Sequence, residues 1–171
     1  LQTAGEFGKV ALSMPRNTTD DTAAWELWGG LAQANKAYAA TITTSGSGAV
    51  ELDSGVAGDT TWHHLALTYD GTTASFYVDG VLKSSLPATG TIDYGTGTQS
   101  MVLFDAGQFD KTVQGELDDV RVYGSALTQT QIQSLMNTPV YPLGPGSNYS
   151  RSITMGSAAP STTGVTYHTT F

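Results

Sequence analysis

Cysteine is absent from all 171 residues, and with it go disulfides, thiolate nucleophiles and Cys-ligated zinc. Charge is scarce as well: 13% of residues are Asp, Glu, Lys or Arg, and seven basic residues face fifteen acidic ones, for a formal net charge of −8. The shortage of positive charge argues against nucleic acid, whose phosphates need clustered Lys and Arg, and against anionic membrane surfaces for the same reason. It suits cations. No apolar run is long enough to span a bilayer, and Leu1 opens no signal-peptide pattern. What is present instead is a 39% hydrophobic fraction, enough to bury a core, with abundant Gly, Ser and Thr. Such a turn-rich, hydroxyl-bearing profile is common among extracellular β proteins.

The most informative stretch runs from Trp62-His63-His64-Leu65-Ala66-Leu67-Thr68-Tyr69-Asp70-Gly71 into Ala74-Ser75-Phe76-Tyr77-Val78-Asp79-Gly80-Val81-Leu82-Lys83. Leu65 to Tyr69 alternate, and Phe76 and Val78 share a parity that Tyr77 does not, as pleated strands require. Both segments end in Asp-Gly, a strong turn signal because Gly accepts positive φ and Asp bonds the turn backbone. Three consecutive antiparallel strands follow. On either side, Val10 to Met14, Ala24 to Trp28, Ala37 to Thr43, Ala49 to Leu52, Ser100 to Phe104 and Gly115 to Tyr123 are further short strands between turn clusters. Thr128 with Gln131 is a capping box ahead of Ile132, Leu135 and Met136, so a short helix is expected there, lying against a sheet edge or loop.

At Thr138-Pro139 the character changes. Residues 138–146 hold Pro139, Pro142 and Pro145 with Gly144 and Gly146, the composition of a stiff linker. Residues 147–171 carry one charge, Arg151, and two alternating runs, Ser152 to Met155 and Val165 to Phe171. Two strands do not make a stable domain in water. The tail is therefore expected to pair with the main sheet, to pair with another chain, or to belong to a truncated further domain.

Taken together, Trp62-His63-His64-Leu65-Ala66, Tyr69-Asp70-Gly71, Phe76-Tyr77-Val78-Asp79-Gly80-Val81 and Gly115-Glu116-Leu117-Asp118-Asp119-Val120-Arg121-Val122-Tyr123 before Ala126-Leu127 resemble the laminin-G-like, concanavalin A-like jelly-roll modules of bacterial surface proteins. The resemblance covers roughly residues 1–137. It implies an all-β, antiparallel jelly-roll β-sandwich with one short C-terminal helix. Members usually begin with an additional strand that has no counterpart ahead of the first strand here. An unfilled place of that kind offers a row of backbone donors and acceptors to the 147–171 tail, in cis or from a neighbouring molecule.

Calcium occurs in some members, and this implies a site among Asp105, Asp110, Asp118 and Asp119, since calcium takes about six to eight oxygen ligands. Asp118 and Asp119 interrupt the alternation of Leu117, Val120 and Val122, as a bulge or strand entry would. Hydrogen bonds to backbone amides, or a pair with Arg121, are the role expected of Asp118 or Asp119 ahead of metal. Trp28, out of phase with Trp25 and Leu27, is expected to pack beneath a loop; as a platform for ligand stacking it is the first candidate, with Tyr94 and Phe109 in loops behind it. Trp25 and Trp62 are in phase with apolar positions and are expected in the core. His63 and His64 point to opposite faces if both lie in a strand, so they cannot share one ion and are expected to be structural.

No enzyme constellation assembles. The Glu-x-Asp-x-Glu alternation of glycosidases on this architecture is broken, with Val120 in the third place after Glu116 and Asp118, and Glu51 with Asp53 running into Ser54-Gly55. No Ser-His-Asp spacing or phosphate loop is present. The expected function is non-catalytic recognition or adhesion at the cell surface or outside the cell, of glycan or a surface protein, with calcium as a candidate cofactor. The alternative is a structural subunit or decoration module of a filament, pilus or virion that self-associates through residues 147–171. Neither nucleic acid nor membrane insertion is expected.

Overall fold

The computed structural model describes residues 10–16, 23–29, 37–59, 61–96, 100–103, 116–138 and 165–170. Among the described residues, ten strands and one helix follow one another: β1 (Val10–Pro15), β2 (Ala23–Trp28), β3 (Ala37–Thr44), β4 (Gly48–Ala57), β5 (His64–Tyr69), β6 (Thr73–Val78), β7 (Val81–Pro87), β8 (Val102–Leu103), β9 (Asp118–Tyr123), α1 (Gln129–Met136) and β10 (Val165–Thr170). One antiparallel sheet runs β4-β3-β2-β1-β8 and the other β7-β6-β5-β10-β9. The chain is a jelly-roll sandwich.

Alternation decides what lies between the sheets. Leu12, Trp25, Leu27, Tyr38, Ala40, Ile42 and Leu52 from the first sheet meet Leu65, Leu67, Tyr69, Ala74, Phe76 and Val78 from the second in one buried cluster. Each fully buried Leu, Ile or Phe contributes roughly 1.5–3 kcal/mol, so this interleaving is the main source of stability. The opposite parity of β5 and β6 is buried too. Ala66 and Tyr77 face outward and are covered by Ile132 of α1, with Leu127 packed beside them. The helix therefore lies on the sheet face, correcting the expectation that it would sit against an edge or loop. A small Ala at 66 leaves room for it.

Local chemistry sets the turns. Asp70 Oδ1 accepts from Thr72 N, Thr72 Oγ1 and Thr73 N at 2.8–2.9 Å, closing the β5–β6 connection. At the β6–β7 turn, Asp79 (φ 53°) and Gly80 (φ 69°) both lie in the left-handed region, as a two-residue type I′ hairpin demands. The Thr128–Gln131 capping box forms as the spacing requires, with Thr128 Oγ1 accepting from Gln131 N and Gln131 Oε1 accepting from Thr128 N at 2.8 Å. β4 is longer than the sequence implied. It continues past Gly55 (φ 66°) because the register slips between Ala37 and Ala39, and the extra residues are absorbed as a bulge. β10 pairs with β5 over six consecutive residues, from Val165 opposite Tyr69 to Thr170 opposite His64, and with β9 on its other side. The expected strand at Ser152 to Met155 and the linker at 139–146 lie outside the described residues.

Candidate functional site

The entry to β5 and the β6–β7 turn are fastened together through one carboxylate. Asp79 N donates to the His64 carbonyl at 2.8 Å, and His64 N donates to Asp79 Oδ1 at 3.0 Å. The second oxygen of Asp79 lies 2.8 Å from His63 Nδ1. His63 Nε2 reaches the other way, 3.1 Å from Asp59 Oδ1 and 2.9 Å from Thr61 Oγ1. Asp59 Oδ1 also accepts from Thr61 N and Thr61 Oγ1, both at 2.7 Å, in an Asx-type turn. Tyr38 of β3 tilts against the His63 ring with centroids 5.0 Å apart, and Asp59 N donates to its hydroxyl at 3.4 Å. An imidazole is thus held between two carboxylates, each about half exposed.

Charge follows from this placement. Burial works against protonating His63, but the bonds to Asp79 and Asp59 and their negative charge outweigh it, so its pKa stands above the ordinary histidine value. Asp59 is held below the usual carboxylate range, chiefly by the Thr61 hydroxyl and amide and then by His63. The next residue behaves oppositely. His64 is 2% exposed, and burial pushes it down to about 4. The two histidines face different surroundings, His64 inside β5 and His63 just ahead of it.

Trp62 departs from expectation. It is 53% exposed, not part of the core, because β5 begins at His64 and the strand phase does not extend back to residue 62. Trp62 thus presents an open indole one residue before His63 in the chain, and an indole face suits the apolar face of a sugar ring. Local sequence carries no sign that the strand starts two residues later.

Trp28 lies at the end of β2, half-buried, its Nε1 donating to Thr41 Oγ1 at 3.2 Å. Tyr94 is half-buried and packs against the inter-sheet core. Phe109, Asp105 and Asp110 lie outside the described residues. Asp118 is exposed at the start of β9. Asp119 has φ 55° at a register shift where β9 spends one extra residue against β10, so the interruption in alternation is a bulge. Its carboxylate receives Arg121 Nε at 2.7 Å and a second guanidinium nitrogen at 2.5 Å. Arg121 also donates to the carbonyls of Leu135 and Thr138 at the end of α1, at 3.4 and 2.9 Å. Among the described residues, no three His, Asp or Glu side chains are gathered so as to hold a metal ion.

Two antiparallel sheets with an apolar interleaf, a helix on one face and polar loops at the strand ends define a β-sandwich of the lectin-like class. More particularly, residues 3–133 match the concanavalin A-like lectin/glucanases superfamily in its laminin G form, and the chain belongs to that family. Modules of this kind are typically for binding, not catalysis. No curated protein and no solved structure matches the chain. Among the described residues, no helix is long and apolar enough to cross a membrane.

Proposed function

We propose that the chain is a non-catalytic glycan-binding module of an extracellular or surface protein, and that sugar stacks on Trp62 while Asp59 and Asp79 accept its hydroxyls. The observation that carries this is the 53% exposed indole directly preceding His63, which is held between two half-exposed carboxylates. An indole open to water keeps one flat apolar face free for stacking while its N–H can reach a hydrogen-bond partner. Calcium is the finer part of the proposal, with Asp118, Asp105 and Asp110 as its oxygen donors and Asp119 committed to Arg121.

Binding to a glycan array, followed by titration with the best oligosaccharide, tests the reading. Trp62→Ala is expected to weaken affinity at least about tenfold, the loss of roughly 1.4 kcal/mol, with an unchanged melting temperature. Trp28→Ala is expected to leave affinity intact, and equal loss in both variants would place the sugar elsewhere. Chelation with EDTA should weaken binding if calcium takes part. A chain that binds no glycan in either condition would end the proposal.

A further inference from the structure

The second sheet is completed by a segment that lies outside the family match. The family match ends at residue 133, whereas β10 spans 165–170 and stands between β5 and β9, hydrogen-bonded to both. In the sheet order β7-β6-β5-β10-β9, β5 and β9 are not neighbours, so the ladder passes from one to the other through β10 alone. We propose that this slot takes residues 165–170 from a second copy of the chain as well as from its own, so that the protein forms strand-exchanged oligomers.

The ladder that holds β10 is made of backbone groups, and an identical strand from another copy satisfies them equally. Only the tether favours the chain's own strand. Arg121, on β9, grips the Thr138 carbonyl at 2.9 Å and fixes where that tether departs. From there to Val165 lie 164 − 138 = 26 residues, able to span up to roughly 90 Å when extended. Three prolines fall within its first seven residues, 139–145. A tether of this length sets an effective concentration on the order of millimolar. Reciprocal exchange loses no contacts, so copies crowded to a similar local concentration should exchange strands. An array on a surface provides such crowding.

The absence of cysteine allows a clean trap. Thr166 pairs with Thr68 across β10 and β5. Thr166→Cys and Thr68→Cys chains, one of them isotopically labelled, are mixed at about millimolar concentration, near the effective concentration of the tether, and then mildly oxidised. A disulfide between one labelled and one unlabelled chain is expected. A mixture that yields no such product, while the double variant closes its bridge within one chain, overturns the proposal. Sedimentation of the unsubstituted chain from about 10 µM to about 2 mM is the second measurement. Dimer growing with concentration, and lost when residues 165–170 are deleted, is expected; monomer throughout, or a dimer that survives the deletion, overturns it. Trp62→Ala is expected to leave self-association unchanged, so failure here and failure of glycan binding are separable.

Discussion

The two sides of the second sheet are built in opposite ways. In the β5–β6–β7 stack, strands adjacent in space are adjacent in sequence, each joined to the next by an Asp-Gly turn. On the other side, β5 at 64–69 meets β10 at 165–170, about a hundred residues away, and β10 then meets β9. Contacts of the first kind are cheap in loop entropy and are encoded where they occur; those of the second must overcome a long closure before any pairing rewards it. The stack should therefore be the stable nucleus of the fold, and the β9–β10 side the part that opens first.

Substitution in the stack should cost most. Phe76→Ala, emptying a fully buried position between the sheets, is expected to lose about 3–5 kcal/mol in urea unfolding. Ile132→Ala removes the one helical residue that is fully buried, over Ala66 and Tyr77, and should cost about 2–4 kcal/mol. Its signature should differ: hydrogen exchange is expected to rise along α1 and β9 while β6 stays protected, and uniform acceleration would mean the two sides unfold as one.

The paired histidines sharpen the comparison through pH. His64 has a folded pKa of about 4, below its unfolded value of about 6.5, so the unfolded chain binds a proton that the folded chain refuses. Stability should fall by roughly 2–3 kcal/mol as pH drops from about 6.5 to about 4. His63 has a raised pKa, so its contribution is complete below its unfolded value and disappears as pH rises through the folded one. The optimum should lie near neutrality. His63→Gln is expected to flatten the alkaline limb alone, and a change confined to the acid limb would contradict the assignment. The smallest effect belongs to Arg121→Gln, which gives up the Asp119 fork and the helix-end carbonyls. A loss of about 1–2 kcal/mol is expected for these partly buried contacts, again with α1 exchanging faster than β6.

What the sequence discloses follows the same division. The Asp-Gly turns, the strand phases of Leu65 to Tyr69 and Phe76 to Val78, and the Thr128–Gln131 box are patterns within a few residues, and each forms as its chemistry requires. The interruption at Asp118-Asp119 is visible as a break in alternation, and Arg121 two residues on supplies the partner. The seat of α1 was also written, though less plainly, in Ala66 and Tyr77: an apolar outer parity on two neighbouring strands implies something covering it. Trp62 was misplaced because periodicity locates a strand but not its first residue. That boundary is set by Asp79, fifteen residues beyond His64, through a bond no local window contains. Asp118 and Asp119 are neighbours in sequence yet part ways, Asp118 exposed and Asp119 bound to Arg121, and Tyr94 shares no short-range pattern with Trp28, so composition could nominate that pair but not gather it.

The position of β10 has a mechanical side. A load drawn through the chain beyond Thr170 acts along a strand bonded on both flanks, so the two ladders must shear together and many hydrogen bonds resist at once. β7, paired among the described residues with β6 alone, is an edge that can be peeled one residue pair at a time. The same sheet is therefore stiff to traction along one strand and yielding at its far margin.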